Sequence, residues 1–382
     1  MSRLVWGSAS KASGKIVANS TIVIAVLLVT LLLSSLLAGC KGTETTVQQP
    51  TQEAVIQQSD ERAPATEPGE MVVYSSRNER FVDDLLAKFE TETGITVKAL
   101  HAGGGAVNRI VEESRNVQAD IFISNDIGAL EFLRIGGHLE GSAPKGIESI
   151  DARYRAVDNS WLALSARTRV FMYNKDLITV EEMPKTIWEL TDPKWRGQFA
   201  ITRGGNGSMI AHISALRYEW GDAKTAEWIA LVKDNAGAIM LGHGDIRRAV
   251  GAGEFTFGLV NNYYYHQQLL EPTDNNVGVI YPDQGENEMG AVVNAAGVAL
   301  VKGAPNATNA LRFIEWLLLP ENQREFAYAS MEVPINPQIE AVGHAATISD
   351  YKVHAMPLSM LGEFFEDTLD LIEQAGLDLE LK

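Results

Sequence analysis

The chain predicts an α/β fold with two lobes. Short β-rich runs alternate with helical patterns, beginning with the strand Met71–Tyr74 and a helix whose Phe81, Leu85, Leu86 and Phe89 share one face. This alternation is typical of a sheet whose strands are mostly parallel. Roughly 310 residues follow position 70, which is long for a single hydrophobic core and indicates two lobes.

The remaining elements are predicted from the same patterns in chain order. The first helix ends at Thr93-Gly94. Further strands are predicted at Thr96–Leu100, Asp120–Ser124, Val170–Tyr173, Gln198–Thr202 and Phe255–Val260. Further helices are predicted through Ile110 and Val111, and at Thr186–Leu190, Met209–Tyr218, Thr308–Leu318 and Leu358–Ala375.

The N-terminal segment has the pattern of a secretory signal. Basic residues precede the apolar run Ile22–Leu37, and small residues stand before Cys40. The sequence Leu37-Ala38-Gly39-Cys40 resembles a bacterial lipobox, whose cysteine becomes the acylated N-terminus. We therefore expect residues 1–39 to be a lipoprotein signal peptide and Cys40 to carry lipid at the outer face of the cell membrane or in the periplasm. The alternative is that Ile22–Leu37 remains attached as a membrane anchor.

Composition limits the partners of the exported part. Residues 40–69 are rich in Thr, Gln, Pro and Glu and predict a flexible, lipid-anchored tether. From Cys40 onward, 29 Lys and Arg face 49 Asp and Glu, a balance that argues against nucleic acid as a partner. Cys40 is the only cysteine of the chain, so an internal disulfide is excluded.

Several loops at predicted strand ends are candidates for ligand binding, because ligands of open α/β sheets settle beyond the carboxyl ends of strands. These loops are Ser75–Glu79, Gly103–Gly105, Ser124–Asp126, Gly204–Ser208 and Asn261–Tyr265. Glycine allows close backbone approach, and the helix N-termini behind the loops present free N–H groups to an anion.

Catalytic motifs are absent from the sequence. It contains no Gly-x-Ser-x-Gly elbow, no His-Glu-x-x-His helix and no Walker loop, and its seven histidines are scattered. We therefore expect a binding protein and not an enzyme.

The run Tyr263-Tyr264-Tyr265 allows two interpretations. In one, three aromatic residues end a strand and divide between the core and a cleft. In the other, adjacent phenols bind a hard trivalent cation as phenolates. Because the ordinary phenol pKa is near 10, only a strong Lewis acid displaces that proton at neutral pH.

Four motifs together resemble those of the ferric-ion-binding proteins of ABC importers. They are Tyr74-Ser75-Ser76-Arg77, Ala119-Asp120-Ile121-Phe122, Asn261-Asn262-Tyr263-Tyr264-Tyr265 and Tyr281-Pro282-Asp283-Gln284-Gly285. The similarity runs from Met71 to the C-terminus, with Pro357-Leu358-Ser359 and Gln374-Ala375-Gly376-Leu377 as domain-closing stretches. It implies the two-lobed type 2 periplasmic binding protein fold, with a hinge of crossing strands and a ligand site in the cleft. It further implies a monomer that docks on a permease and its ATPase. We expect residues 70–169 and 290–335 in lobe 1, and residues 170–289 and 336–382 in lobe 2.

The resemblance also implies a ligand set. Tyr263 and Tyr264 match the paired tyrosines that ligate Fe³⁺, the transported ligand, together with a synergistic anion such as carbonate, phosphate or citrate. Residues expected to contact the ligand or anion are Arg77, Asn78, Asp126, Gly207, Ser208, His243 and Asn261. For Arg167 and Arg169, beside the expected crossover, hinge salt bridges and anion contacts both stay open.

Four positions depart from the family pattern. Asn78 and Glu79 stand where a ligating His, often followed by Tyr, is usual, and Asn125 stands where one subgroup has a ligating Glu. Met209 lies about where another subgroup has a further Tyr. Glu79 is expected to replace a lost phenol as a hard oxygen ligand, or else to be a solvated residue at a helix start.

Two other functions stay open at this point. The same fold could bind a small organic or phosphorylated anion or a thiamine-like solute, with Arg77 and the helix N-termini as its contacts. A surface-anchored sensor or adhesion protein is the alternative from a different class.

Overall fold

One long strand connects the two lobes. In the computed structural model, which describes residues 69–380, β4 (Trp161–Asn174) is buried along its whole length. Its first part, Trp161–Thr168, pairs with β9 (Val293–Leu300), and its second part, from Arg169, pairs with β7 (Phe257–Asn261). The pairing partner of β4 therefore changes between Thr168 and Arg169.

The predicted signal peptide (residues 1–39), the lipidated Cys40 and the tether lie outside the described residues, apart from the last tether position. Within the described part, no helix combines the length and apolar character that crossing a bilayer requires.

Ten strands are assigned in the described residues, and β4 belongs to both halves of their sheet. The other strands are β1 (Glu70–Ser75), β2 (Thr96–His101), β3 (Ile121–Ser124), β5 (Phe199–Thr202), β6 (Ala238–Met240), β8 (Val277–Ile280) and β10 (Val333–Pro334). Lobe 1 has the order β2-β1-β3-β9-β4, and lobe 2 has the order β4-β7-β5-β6. Strand β8 pairs with the second part of β4, and β10 pairs with the first part.

Helices cover the faces of this sheet. They are α1 (Asp83–Thr93), α2 (Gly105–Glu112), α3 (Ile127–Ile135), α4 (Gly207–Trp220), α5 (Asp222–Asn235), α6 (His243–Gly251), α7 (Asn262–Leu269), α8 (Ala307–Leu317), α9 (Pro320–Tyr328), α10 (Met360–Glu363) and α11 (Phe365–Gln374). Gly94, which follows α1, has φ 73°, so the predicted helix end at Thr93-Gly94 is confirmed.

The sheet is mixed, and the expectation of mostly parallel strands is wrong. β1 pairs in parallel with β2 and β3, and β5 pairs in parallel with β6 and β7. Every pairing of β4 and the pairing of β3 with β9 are antiparallel. The predicted strand Val170–Tyr173 is only the second part of β4, because polar residues such as Arg167 and Thr168 obscure the continuity of the strand.

The hydrophobic cores divide the C-terminal segment between the lobes. Met356, Leu358 and Leu361 belong to the core of lobe 1, whereas Ile372 and Leu377 belong to the core of lobe 2. Helix α10 packs on α3, and α11 packs on α4 and α5. We therefore propose that lobe 2 takes up the chain again near residue 365, and not at residue 336 as the sequence analysis expected.

The chain returns from lobe 2 to lobe 1 through residues 281–292, beside an aromatic pair. Tyr281 stacks on Tyr351 with ring centroids 4.3 Å apart, and the Tyr351 hydroxyl lies 2.6 Å from the Thr168 hydroxyl. In the same returning segment, the buried Asp283 accepts a hydrogen bond of 3.1 Å from the Ile187 N–H and has φ 61°. The two segments that cross between the lobes, β4 and residues 281–292, are thus linked through Tyr351.

Burial raises the pKa of Asp283 to about 7, and the neighbouring Glu288 and Glu189 contribute to the rise. Because the pKa is higher in the folded state than the unfolded value of about 3.9, the folded protein loses stability as pH rises from about 4 to 7. We expect Asp283→Asn to raise the free energy of unfolding at pH 8 by about 2–4 kcal/mol and to change it little at pH 4. Asn keeps an acceptor for Ile187 and tolerates positive φ.

Urea unfolding of the parent and the Asp283→Asn variant across this pH range measures the effect. A stability difference that is independent of pH would contradict it.

Candidate interlobe ligand site

A cavity of about 320 Å³ opens between the lobes at the carboxyl ends of the strands. We call it the ligand cavity. Its lining residues are Arg77, Arg80, Phe81, Asn125, Asp126, Arg167, Asn206, Gly207, Ser208, His243, Tyr263, Tyr264, Gln267, Ser330 and Glu332. The loops after β1, β3, β5 and β7 all reach it, as the sequence predicts, whereas Gly103–Gly105 does not line it.

The tyrosine pair lies in the first turn of helix α7. Strand β7 ends at Asn261, and the chain turns directly into the helix. The tyrosines therefore follow a strand end as predicted, but the candidate loop Asn261–Tyr265 is the end of β7 and the first turn of a helix. The rings of Tyr263 and Tyr264 lie 4.4 Å apart, inclined by 33°, and both line the ligand cavity. Tyr265 packs on the core beneath α6 instead.

The surroundings of Tyr263 favour the protonated form of its phenol. Burial raises the pKa of Tyr263, and the nearby Tyr264 and Glu332 raise it further, while Arg167 opposes the rise. The positive end of the α7 dipole favours a negative charge on residues of the first helical turn. Metal coordination would therefore have to offset the cost of ionising this buried phenol. Arg167 and the positive end of the α7 dipole would stabilise the phenolate that forms.

A hydrogen-bonded chain lies behind the tyrosines. The buried Arg169 donates to His243 Nε2 and to Asn261 Oδ1, both at 3.2 Å, and Asn261 Nδ2 donates to Ser208 Oγ at 3.0 Å. Since a guanidinium only donates, His243 Nε2 is unprotonated and Nδ1 carries the proton. Burial, with the charges of Arg169 and Arg167, holds the pKa of His243 well below its usual range, so its imidazole is neutral.

The N-terminus of helix α4 forms a second polar wall. Asn206 caps this helix by accepting a 3.0 Å hydrogen bond from the Ser208 N–H, and Gly207 begins the helix at the cavity wall. A helix N-terminus with exposed N–H groups favours anions.

Gly204 and Gly205, which precede the cap residue Asn206, contact the C-terminal tail and not the ligand cavity. The N–H groups of Gly204 and Gly205 donate to the carbonyls of Asp378 and Leu379 in the C-terminal tail, at 2.9 and 3.0 Å. A Cβ at Gly205 would lie 2.3 Å from the Leu379 carbonyl oxygen. These glycines therefore admit the C-terminal tail of the chain itself.

On the lobe 1 side, a buried ion-pair network forms the wall. Arg77 is 1% exposed, and its guanidinium lies 3.2 Å from Glu332 Oε2 and donates to Ser330 Oγ at 2.6 Å. Arg167 lies 3.8 Å from the other Glu332 oxygen and 3.3 Å from Asp126. The carboxylate of Glu332 is thus shared by two arginines, and Ser165 also donates to it at 2.5 Å. Arg167 therefore both forms salt bridges at the hinge and lines the cavity.

Asp126 has several partners already. One carboxylate oxygen caps helix α3 through the Gly128 N–H at 2.8 Å, and the other accepts from Asn294 at 2.6 Å in addition to its contact with Arg167. Asn125 donates to the Ser76 carbonyl at 3.2 Å. These side chains shape the cavity while being held by lobe 1 itself.

Asn78 and Glu79 are exposed and do not line the ligand cavity. The Asn78 side chain caps a short 3-10 helix by accepting from the Arg80 N–H at 3.2 Å, and Glu79 lies in that helix. Arg80 and Phe81 face the cavity in their place. Among residues 69–380, no three His, Cys, Asp or Glu side chains gather into a group that could hold a metal ion.

Sequence reasoning missed Glu332, Ser330, Arg80 and Gln267 as residues of the cavity. Glu332 lies 255 positions from its partner Arg77, so no local spacing could reveal the pair. Arg80 and Gln267 follow motifs that were recognised, each within one helical turn, and the period of 3.6 residues could have indicated them.

The chain matches known proteins over most of its length. The family model described as "Bacterial extracellular solute-binding protein" matches residues 84–355. Iron uptake protein A1 of Synechocystis is 31% identical over 332 residues, which cover 84% of this chain and 91% of that protein. The major ferric iron-binding protein of Neisseria meningitidis serogroup B is 27% identical over 313 residues, which cover 81% of this chain and 93% of that protein.

A solved structure has the same architecture. The Trichodesmium protein IdiA (FutA), in complex with iron and citrate ligands, superposes with a TM-score of 0.74 at 27% identity, covering 81% of this chain and 100% of that chain. The predicted type 2 periplasmic binding protein fold is thereby confirmed. From the family match and the extent of these similarities, the chain belongs to the bacterial extracellular solute-binding proteins.

Proposed function

We propose that the protein is the substrate-binding subunit of an ABC importer, that it captures ferric iron in the ligand cavity, and that Tyr263 and Tyr264 bind the metal as phenolates. The observation that carries the proposal is the placement of two adjacent phenols on the cavity wall, with ring centroids 4.4 Å apart, at a helix N-terminus. Hard phenolate oxygen suits a hard trivalent cation. Relatives named for iron uptake and for ferric iron binding match more than four-fifths of the chain.

The remaining coordination positions call for an added anion. Gly207 and Ser208 at the start of α4, with Asn261 behind them, form the wall that favours negative charge. We propose that carbonate, phosphate or citrate enters there with the metal. His243 borders this wall as a neutral hydrogen-bonding group and not as a metal ligand, because Arg169 already occupies its Nε2.

The cellular setting follows from the same proposal. We propose that the exported chain is tethered through lipidated Cys40, acts as a monomer and has a binding and not a catalytic role. Closure of the lobes about β4 and residues 281–292 would enclose the ligand, and docking on the permease with its ATPase would release it.

Metal retention tests the proposal. Protein stripped with a chelator, incubated with ferric nitrilotriacetate and desalted should retain about one iron per chain by elemental analysis. Retention of no iron, by a protein that still unfolds cooperatively, would refute ferric capture.

The second candidate is a small organic or phosphorylated anion without metal. It is favoured by the three arginines that line the cavity, Arg77, Arg80 and Arg167, since guanidinium groups bind carboxylate and phosphate. Calorimetric titration with inorganic phosphate and with citrate, each in the absence of iron, distinguishes the two. Tight binding of metal-free anion to a protein that retains no iron would select this candidate.

We expect Glu79→Gln to leave ferric affinity within about threefold of the parent, because Glu79 is exposed and faces away from the ligand cavity. Competition with citrate, followed by metal analysis, measures this affinity. Glu90→Gln, on an exposed face of α1, is the matched control. A loss of tenfold or more confined to Glu79→Gln would mean that Glu79 reaches the metal, which is the first of the two alternatives that the sequence left open for this residue.

A further inference from the structure

A second cavity of about 420 Å³ adjoins the ligand cavity. We call it the apolar cavity. Asp126 and Gly207, at the N-terminal ends of α3 and α4, line both cavities, so the two cavities are neighbours. Leu361 and Phe365, from the C-terminal helices that join the lobes, line the apolar cavity as well.

The chemistry changes sharply from one cavity to the other. Around the apolar cavity, α2 and α3 contribute Val107, Ala129 and Phe132, and α4 contributes Ile210 and Ala211. Phe132 is 42% exposed there. Apolar side chains from both lobes and from the C-terminal helices thus face a space that adjoins a polar site. Concave sites of this kind bind ligands that bury hydrocarbon and orient it with a few polar contacts.

The ligand cavity offers ferric iron few protein donors. Its two carboxylates, Asp126 and Glu332, are already held by the arginines and by hydrogen bonds within lobe 1. Two phenolates leave most of the coordination sphere of ferric iron open. The missing donors must therefore arrive with the metal.

The charge of the site indicates the chemistry of those donors. Arg80 lies exposed at the cavity, where its guanidinium stacks 4.5 Å from the Phe81 ring, and Arg77 and Arg167 lie behind it. Since Arg77 and Arg167 pair with Glu332 and Asp126, the exposed guanidinium of Arg80 is the positive charge that lobe 1 offers to the free carboxylates of a polycarboxylate chelator.

We propose that the cargo is a preformed ferric complex of a polycarboxylate chelator that carries a hydrocarbon arm, with the carboxylates and metal in the ligand cavity and the arm in the apolar cavity. This inference rests on the proposed function, because it specifies the substrate of the same cleft. The adjacency of the two cavities, the small number of free protein donors and the exposed guanidinium of Arg80 support it together.

Two chelators that differ only in the arm provide the test. Full-length, iron-free protein is titrated with ferric citrate and with the ferric complex of citrate bearing an n-butyl group on one methylene carbon. Each buried methylene contributes roughly fourfold in affinity before the arm's lost freedom is subtracted. We expect the butyl complex to bind on the order of tenfold tighter. Equal affinities in the parent protein would overturn the inference.

A variant that fills the apolar cavity tests whether the preference for the butyl complex arises there. In Ala129→Trp the indole would occupy the apolar cavity, and we expect the ratio of the two affinities to fall to about one. Ile135→Trp is the matched control, since Ile135 is 55% exposed on the same helix and does not line the cavity. The control should preserve the ratio. A ratio unchanged by Ala129→Trp would overturn the inference, even if uptake into cells falls, because the cavity would then serve the permease and not the chelate.

The two titrations distinguish a failure of the hydrocarbon-arm inference from a failure of ferric capture itself. Binding of ferric citrate without any preference for the butyl complex would leave ferric capture standing while removing the hydrocarbon arm. Failure of both ferric complexes to bind would instead count against the proposed function.

Discussion

Tyr264→Phe is expected to weaken the visible colour of the iron-loaded protein, because Tyr263 is then its one remaining phenolate ligand, and to lower its affinity for ferric iron about 100-fold or more. Loss of a group that only supports a metal ligand costs 10- to 100-fold, so loss of a ligand should cost at least as much. The ring contacts with Tyr263 and His243, at 4.4 and 5.2 Å, can persist in Phe, so the fold should change little. Competition against citrate with detection of bound iron measures the affinity, and thermal unfolding of the metal-free variant checks the fold.

Tyr265→Phe is the matched control for this prediction. Tyr265 is the next residue of the same helix, but it packs on the core of lobe 2 and does not line the ligand cavity. It should keep the colour and the affinity of the parent. Equal losses in both variants would show that phenol removal damages α7 in general, and an unchanged affinity in Tyr264→Phe would exclude Tyr264 as a ligand.

Glu332→Gln is expected to destabilise the iron-free protein by about 3–5 kcal/mol, because removing one partner of a buried ion pair leaves the other charge uncompensated. Glu332 is 4% exposed and Arg77 is 1% exposed. Although burial alone would raise it, the pKa of Glu332 lies below its usual range because Arg77 and Arg167 stabilise the carboxylate. Its contribution is therefore present above the unfolded pKa of about 4.3 and is lost as pH falls through the folded value.

Glu325→Gln is the matched control, since Glu325 pairs with Lys88 at 2.6 Å on the surface. Exposed pairs contribute at most about 1 kcal/mol. Urea unfolding at pH 7 and at progressively lower pH should show a large difference between parent and Glu332→Gln that shrinks in acid. A difference at pH 7 no larger than that of the control would mean that the network stabilises the fold little.

The sequence predicted those parts of the fold that depend on local pattern. Strands β1, β2, β3 and β5 and the end of α1 at Gly94 follow from short apolar runs and one glycine. The mixed sheet could not be predicted in this way, because strand direction depends on which distant segments pair. Strand β4 is an example, since β9, more than 120 residues later, decides the direction of its first part.

The site was predictable where its residues are consecutive. The tyrosine pair and the Asn206–Ser208 turn were found because each lies in one short motif. Glu332 was not, because its role is fixed by Arg77 and Arg167 from distant parts of the chain. Asn78 and Glu79 were placed near the metal through the resemblance, whereas the cap at Asn78 turns both outward. Arg80 thereby becomes the residue of that loop that lines the cavity.

A visible absorption titration of the chelator-stripped protein with ferric citrate tests the central claim most directly. Ferric iron bound by phenolate oxygen produces a broad charge-transfer band in the visible range. Our account predicts a band that grows to saturation near one equivalent of iron and is markedly weaker in Tyr264→Phe, where Tyr263 is the one remaining phenolate ligand. A solution that stays colourless while the protein remains folded would contradict ferric binding through Tyr263 and Tyr264.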